Sequence, residues 1–496
     1  MTNTHTSPNR PRPSIGAWRR AAVYGLGASG RAALALLRNR GIETLVWDDR
    51  PRDDFDRRLL ARLESDPSLR LWLGEGDATA TAERIVTTLD AVVVSPGVPT
   101  TRPLLLAARA RGLPIVGEVE LAFAALAGDA TVIGITGSNG KSTTAALTGA
   151  LLAASGRAVS VCGNFGPPFA EAVLESPRPQ HVYVVELSSF QLESVDTFRP
   201  HAAALLNLSP DHLDRHGDAA AYQAAKTRIF ARQKRRDLTV LNADDARLVD
   251  LVTPSHRRWF SRRRPVEDGC FVVGERVLEA VPGKPHRHLF ARSDVMLSGS
   301  HNLENAMAAA LLARSQTVSR AHIARALRAF RGLPHRLEVI AEVAGVRFFD
   351  DSKGTNVGAT VASLEGFEPN SVHLILGGRA KGADFSVLAD AVAAAACRVY
   401  LIGEAAAAIA RALAGTGVAL EHDARLARAV ASAARQARPG ESVVLSPACA
   451  SFDQFSSFVE RGRAFKRLVL ALAAGETSEQ RGPRAPGDGG EVERGT

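Results

Sequence analysis

An apolar run, Ala130-Thr-Val-Ile-Gly, leads into Ile135-Thr-Gly-Ser-Asn-Gly-Lys-Ser-Thr143 and then into the small-residue helical run 144–154. A strand that enters a glycine turn and leaves it as a helix is the signature of a parallel α/β sheet. Backbone N–H groups at such a helix start point at phosphate oxygens, and the helix dipole favours their charge. Gly137, Ser138, Asn139 and Gly140 form the turn, Lys141 is placed to reach outer phosphates, and the Ser142 hydroxyl is placed for Mg²⁺, with Thr143 following. The strict spacing G-x-x-x-x-G-K-[ST] is not met, because Ile stands at 135. What remains is the variant T-G-x-x-G-K-S-T, and the chain is expected to consume ATP.

The same strand-then-helix rhythm divides the chain into three segments. The first has a strand over 20–24, the turn Gly25-Leu-Gly-Ala-Ser-Gly30, a helix over 31–40 and a strand over 44–47 that ends at Asp48. Taken alone, G-x-G-x-x-G with an acid 18 residues after its last glycine predicts NAD and a dehydrogenase. A further strand, 91–94, ends in Ser95-Pro96-Gly97, at the sheet edge where open α/β folds bind ligands. The second segment carries the phosphate loop and strands over 181–185, 202–206 and 238–242, with a helix from about His301. The third opens with a hairpin, 337–343 and 346–349, then alternates again through 373–376, 398–402 and 442–445. The expected fold is α/β with three domains, 17–119, 120–332 and 333–474, between polar tails 1–16 and 475–496. Both tails are expected to be disordered.

A length of 496 residues suits two to four domains, and 46% hydrophobic with 23% charged residues is ordinary for a globular enzyme. No apolar run reaches the roughly 18 residues of a membrane span, and the polar, Pro-rich start lacks a secretory apolar region. Four scattered cysteines without a C-x-x-C pair read as reduced, buried thiols of a cytoplasmic protein. The net charge of +9 includes basic runs at 234–236 and 262–264, but no aromatic interleaving accompanies them. Nucleic acid is not expected as a partner.

Further stretches narrow the reading. They are Gly163-Asn164-Phe-Gly166, Glu186-Leu-Ser-Ser-Phe-Gln-Leu-Glu193, Asp211-His212-Leu-Asp214 and Ala225-Lys226. Later come His301-Asn302, Leu333-Pro-His-Arg336, Asp350-Asp351-Ser-Lys353 with Thr355-Asn356, and Leu445-Ser-Pro-Ala-Cys-Ala-Ser451-Phe-Asp-Gln-Phe455. In content and order, from about Ala21 to Leu470, the chain resembles the Mur ligase family, and within it the members that add glutamate. The resemblance implies a Rossmann-like N-terminal domain, a central P-loop ATPase-type domain and a Rossmann-like C-terminal domain. It also implies a reaction: ATP activates the carboxylate of UDP-N-acetylmuramoyl-L-alanine as an acyl phosphate, and the amine of D-glutamate attacks it.

Roles follow from the same resemblance. Lys141, Glu186, His212 and Lys226 are implied to be catalytic, and Ser142, Glu186, His212 and a carbamylated Lys226 to hold Mg²⁺. Asn302 and Asn305 lie on the adenine side, Arg336 near phosphates and Asp351 near the ribose. The Gly25–Gly30 turn is reassigned from NAD to the uridine diphosphate. Ala28, Ser29, Asp48, Arg50 and Ser95 to Gly97 surround that group, with Asn164 and His212 toward the sugar-peptide. Lys353, Thr355, Lys381, Ser451 and Phe458 are implied to receive the amino acid, their cations and hydroxyls suiting two carboxylates. Arg379 stands where some relatives have Asp, and Asp49 replaces a hydroxyl residue. L-glutamate or another Mur-type amino acid remains the alternative substrate, and a monomer is expected.

Overall fold

The computed structural model describes residues 15–474 apart from 75, 76, 127, 177, 210, 212, 298 and 381. It divides into two compact units at Gly332/Leu333. The first unit holds two sheets, the second holds one.

The first sheet contains β1 (Arg20–Tyr24), β2 (Glu43–Asp48), β3 (Leu69–Leu73), β4 (Ala91–Val94) and β5 (Ile115–Gly117), in the order β3-β2-β1-β4-β5. All its pairs are parallel, and strand order reverses between β1 and β4. That switch point brings the Gly25 turn beside Ser95, where such sheets open a ligand crevice. The helix after β1 runs Ala28–Asn39, three residues earlier than the sequence suggested. Gly30 therefore lies in its first turn, where a Cβ would fall 1.8 Å from the Gly25 carbonyl oxygen. Residues 15–17 form a short turn with Ile15 buried, so the fold begins inside the stretch read as an N-terminal tail.

The second sheet contains β6 (Thr131–Thr136), β7 (Val159–Gly163), β8 (Val182–Glu186), β9 (Ala202–Leu205), β10 (Leu238–Asn242), β11 (His256–Ser261), β12 (Gly269–Val273), β13 (Arg276–Ala280) and β14 (Arg287–Ala291). Its order is β14-β13-β12-β11-β10-β9-β6-β8-β7. β6 lies between β8 and β9, so the ends of both flank the phosphate loop. The last two pairings are antiparallel, an extension the sequence reading did not anticipate. Its strands are short and half polar, which blurs a strand pattern.

Side chains of central strands alternate between two dry faces, which is why they read as unbroken apolar runs. Val132, Tyr183 and Val185 enter one core; Ile133, Ile135, Val182 and Val184 enter the other. The first of these cores also takes Val23, Leu37 and Val46, so the two sheets of this unit share buried apolar contact. Helix Glu118–Ala125 makes the join. The Glu120 carboxylate accepts from the amides of Asp196, Thr197 and Phe198 at 2.8–3.0 Å, and Phe123 meets Phe198 edge-on at 5.3 Å. Such an aromatic pair contributes about 0.5–1.5 kcal/mol beyond its buried area.

The second unit contains β15 (Glu338–Val343), β16 (Val346–Asp350), β17 (Val372–Gly377), β18 (Ala396–Ile402), β19 (Ala419–Ala424) and β20 (Ser442–Leu445), ordered β15-β16-β20-β17-β18-β19. β15 and β16 form an antiparallel hairpin, and the remaining pairs are parallel. Leu374 and Leu376 face one apolar layer and Ile375 the other. Among the described residues no helix is long and apolar enough to cross a membrane.

Candidate active site

The phosphate loop joins β6 to helix Lys141–Ala153, with Gly140 at the cap in the left-handed region, φ +82°. Cross-links from the next strand hold the loop open. Asn207 accepts from the Asn139 amide at 2.8 Å, and its carbonyl accepts from the Ser138 amide at 3.0 Å. The Ser138 hydroxyl donates to the Ser209 carbonyl at 2.9 Å and lies 3.1 Å from the Tyr222 hydroxyl. Lys141 Nζ donates to the carbonyls of Gly137 and Ser138 at 2.8 and 2.7 Å. Ser142 and Thr143 are buried at the helix start.

Lys226 is buried beside the phosphate loop. Its helix, Ala219–Thr227, turns the side chain inward: Nζ donates to the Gly137 carbonyl at 2.8 Å and lies 4.7 Å from the Tyr222 ring centroid. Burial, then the nearby Lys141 charge, push the Lys226 amine well below its ordinary range, against the pull of Asp211 and Glu186. Glu186, the last residue of β8, is 1% exposed and accepts from Asn164 Nδ2 at 2.8 Å. Asn164 is thus a neighbour of the acid. Asn305 meets the Thr144 hydroxyl at 3.2 Å and donates to Asn302 at 3.1 Å, placing both asparagines against the loop helix. His212 lies outside the described residues.

At the first sheet's switch point the Ser95 hydroxyl donates to the Gly25 carbonyl at 2.8 Å. Asp48 accepts from the Leu26 amide at 2.7 Å and from Arg50 through both oxygens, at 3.0 and 2.8 Å. Burial works to raise the Asp48 carboxyl, but the hydrogen bonds from Arg50 and Leu26 outweigh it and hold it below the usual range. Ala28 and Gly97 are exposed, while Ser29, Ser95 and Pro96 are half-buried around the turn.

In the second unit Asp351 follows β16 and accepts from the hydroxyls of Ser446 and Ser363 at 2.7 and 2.8 Å. Burial raises its carboxyl to about 6, although those hydroxyls and the Arg336 charge draw it down. Arg336 sits between two left-handed residues, His335 and Leu337, at φ +63° and +45°. His335 Nδ1 is 2.7 Å from Asp350 Oδ2, tying this bend to the end of β16. Lys353 Nζ lies 4.7 Å over the Phe458 ring, and Thr355 is half-buried nearby in sequence. Buried Arg461 donates to the Ser352 hydroxyl and to the carbonyls of Ser352 and Cys449, bracing the strand ends around Ser451. Lys381 lies outside the described residues. Arg379 is exposed and pairs with Glu404 at 3.1 Å.

Sequence reading missed Asn207, Tyr222, Ser363, Ser446 and Arg461. Asn207 and Ser446 stand at strand ends beside assigned residues, which was a usable signal. Tyr222, Ser363 and Arg461 lie on helices, and only packing turns them inward.

Comparison with known proteins bears on this arrangement. Family models match in three consecutive stretches: "Mur ligase MurD-like, N-terminal domain" over 19–117, "Mur ligase middle domain" over 135–313 and "Mur ligase, glutamate ligase domain" over 335–449. The chain is 42% identical to a UDP-N-acetylmuramoylalanine–D-glutamate ligase of Koribacter versatilis, covering 92% of this chain and 98% of that protein. It is 43% identical to the ligase of the same name from Myxococcus xanthus, again covering 92% and 98%. Among solved structures, a UDP-N-acetylmuramate-alanine ligase of Thermotoga maritima aligns with a TM-score of 0.57 at 18% identity, covering 92% of this chain and 99% of that one. A pseudomurein peptide ligase of Methanothermus fervidus also gives 0.57 at 18%, covering 92% and 100%. Those two likenesses speak for the fold. With three family stretches in order and 42% identity along nearly its whole length, the chain belongs to the Mur ligase family.

Proposed function

We propose that this chain is a cytoplasmic, monomeric, ATP-dependent ligase that adds D-glutamate to UDP-N-acetylmuramoyl-L-alanine in peptidoglycan precursor synthesis, releasing ADP and phosphate. The reading is carried by its 42% identity over 98% of a ligase bearing that name. The phosphate loop and the buried acid beside it support the reaction class.

In this reading the 137–140 turn and Lys141 hold the outer phosphates of ATP. Asn302 and Asn305 border the adenine, Arg336 faces phosphate and Asp351 the ribose. Ala28, Ser29, Asp48, Arg50 and Ser95 to Gly97 receive the uridine diphosphate, with Asn164 toward the sugar-peptide. Lys353, Thr355, Lys381, Ser451 and Phe458 take D-glutamate, whose amine replaces phosphate on the activated carboxyl.

The buried Glu186 carboxylate and the fully buried Ser142 hydroxyl fit a hard cation, since a buried acid is costly without a compensating charge. Mg²⁺, held by Ser142, Glu186, His212 and Lys226 as its carbamate, would neutralise charge on the transferring phosphoryl group. Lys226 suits that modification: burial favours its neutral amine, which can form an N–C bond to CO₂ and release one proton. Carbon-13 NMR in labelled bicarbonate should show a carbamate signal that Lys226→Ala lacks; equal spectra would reject the modification.

The deciding assay is phosphate release from ATP with UDP-N-acetylmuramoyl-L-alanine and one amino acid at a time. D-glutamate should stimulate it. Stimulation by L-glutamate or another amino acid instead would move the chain to a neighbouring specificity, and NADH oxidation would end the reading.

A further inference from the structure

Three metal-ligating side chains meet at the end of the third sheet opposite Asp351 and Ser446. His373 is the second residue of β17, Cys397 the second of β18, and Glu441 immediately precedes β20. These strands are neighbours in the order β20-β17-β18. One ligand atom from each residue lies within 4.8 Å of the other two. His373 is 3% exposed, while Cys397 and Glu441 are half-buried, so the cluster is held from inside and reached from outside.

We propose that His373, Cys397 and Glu441 form a divalent transition-metal site, with Zn²⁺ as the matching ion and water in the fourth position. One nitrogen, one sulfur and one carboxylate oxygen form a borderline donor set that suits zinc and leaves Mg²⁺ poorly served. A thiolate and a carboxylate also balance the ion's two charges, which a half-buried site requires.

The surroundings of His373 supply what a ligating imidazole needs. Its Nε2 lies 2.9 Å from Glu441 Oε2, and its Nδ1 lies 2.8 Å from the Tyr400 hydroxyl, whose ring is fully buried. In the metal-free protein Nε2 faces the Glu441 carboxylate and Nδ1 faces the phenol. When zinc takes Nε2, the ring proton sits on Nδ1 and the phenol oxygen accepts from it. The second nitrogen stays oriented by the phenol, as in established zinc sites. Glu441 is steadied by the Arg438 amide at 2.7 Å. The Cys397 thiol, 3.3 Å from the Val372 carbonyl, releases its proton to solvent on coordination. Cys162, Cys270 and Cys449 are at most 1% exposed and offer no competing open thiol.

The site does not rest on the proposed ligase activity, and either reading can fail alone. The test is titration of the chelator-treated full chain with CoCl₂, then ZnCl₂. One equivalent of cobalt should give an intense near-ultraviolet thiolate-to-cobalt absorption that zinc abolishes. Cobalt at the proposed Mg²⁺ site, which has no sulfur donor, cannot produce that band. Cys397→Ser should lose it, and Tyr400→Phe should keep it with zinc affinity about 10–100-fold weaker. Absence of the band in wild type overturns the site, whether or not the serine variant folds. An equal band in Cys397→Ser overturns it as well.

Discussion

Lys141 and Lys226 bring two amines to one carbonyl, that of Gly137, and both are satisfied by backbone oxygen. Incoming phosphates would draw Lys141 away from those carbonyls. Lys141→Ala is expected to lower kcat about 10²–10³-fold, the cost of removing one charge-stabilising contact in a transition state; turnover near wild type would refute the role. A second residue governs pH behaviour. Glu118 is fully buried, and burial raises its carboxyl from 4.5 to about 7 although the amides of Ala170 and Phe169 oppose this. The folded chain keeps a proton there that the unfolded chain releases. The stability it contributes is therefore complete below pH 4.5 and is lost as pH rises through 7, about 3 kcal/mol in all. Denaturant unfolding of Glu118→Gln against wild type should show the difference between them changing across that window; parallel curves would reject it. Lys141 was legible because the phosphate-loop pattern is local. Lys226 was placed at the site by the family resemblance alone, because a lysine in an Ala-rich helix reads by itself as solvent-facing.

Strand–loop–helix units carry most of the site, and their geometry rests on a few glycines. A Cβ on Gly140 would fall 2.2 Å from Asn305 Oδ1, in a backbone region L residues avoid. Gly140→Ala should raise the Kd for ATP about tenfold or more, since the left-handed conformation alone costs roughly 1–2 kcal/mol. Calorimetric titration that finds unchanged affinity for Gly140→Ala would show the turn to be tolerant. The central strands were legible at this scale, because apolar runs bounded by glycine mark doubly buried strands. The strands β13 and β14 were not, because each is only five residues long and carries two charged or imidazole side chains among its apolar ones.

Across the whole molecule, the residues proposed for ATP divide between two units with separate cores: Lys141, Ser142 and Asn305 in one, Arg336 and Asp351 in the other. All four tryptophans, Trp18, Trp47, Trp72 and Trp259, precede residue 333, so their fluorescence follows the first unit alone while calorimetry follows both. ATP at about 100 times its Kd adds roughly 2.7 kcal/mol to whatever grips it. Both thermal transitions should rise with ATP in wild type, and only the tryptophan-reported one in Arg336→Ala. A second-unit transition indifferent to ATP in wild type would remove Arg336 and Asp351 from the nucleotide site.

The helix Glu118–Ala125 has a bearing on recombination between relatives. Its Glu120 is clamped by three successive amides from beyond β8, and its apolar side enters a core fed by both sheets. A chimera spliced near residue 118 would pair a foreign helix with amides and aromatic rings shaped for another, whereas a graft at Gly332/Leu333 would cut between separately cored bodies. Exchange of amino-acid specificity by domain grafting should therefore succeed at the later junction, and exchange of the nucleotide-sugar half should demand that residues 196–198 travel with it.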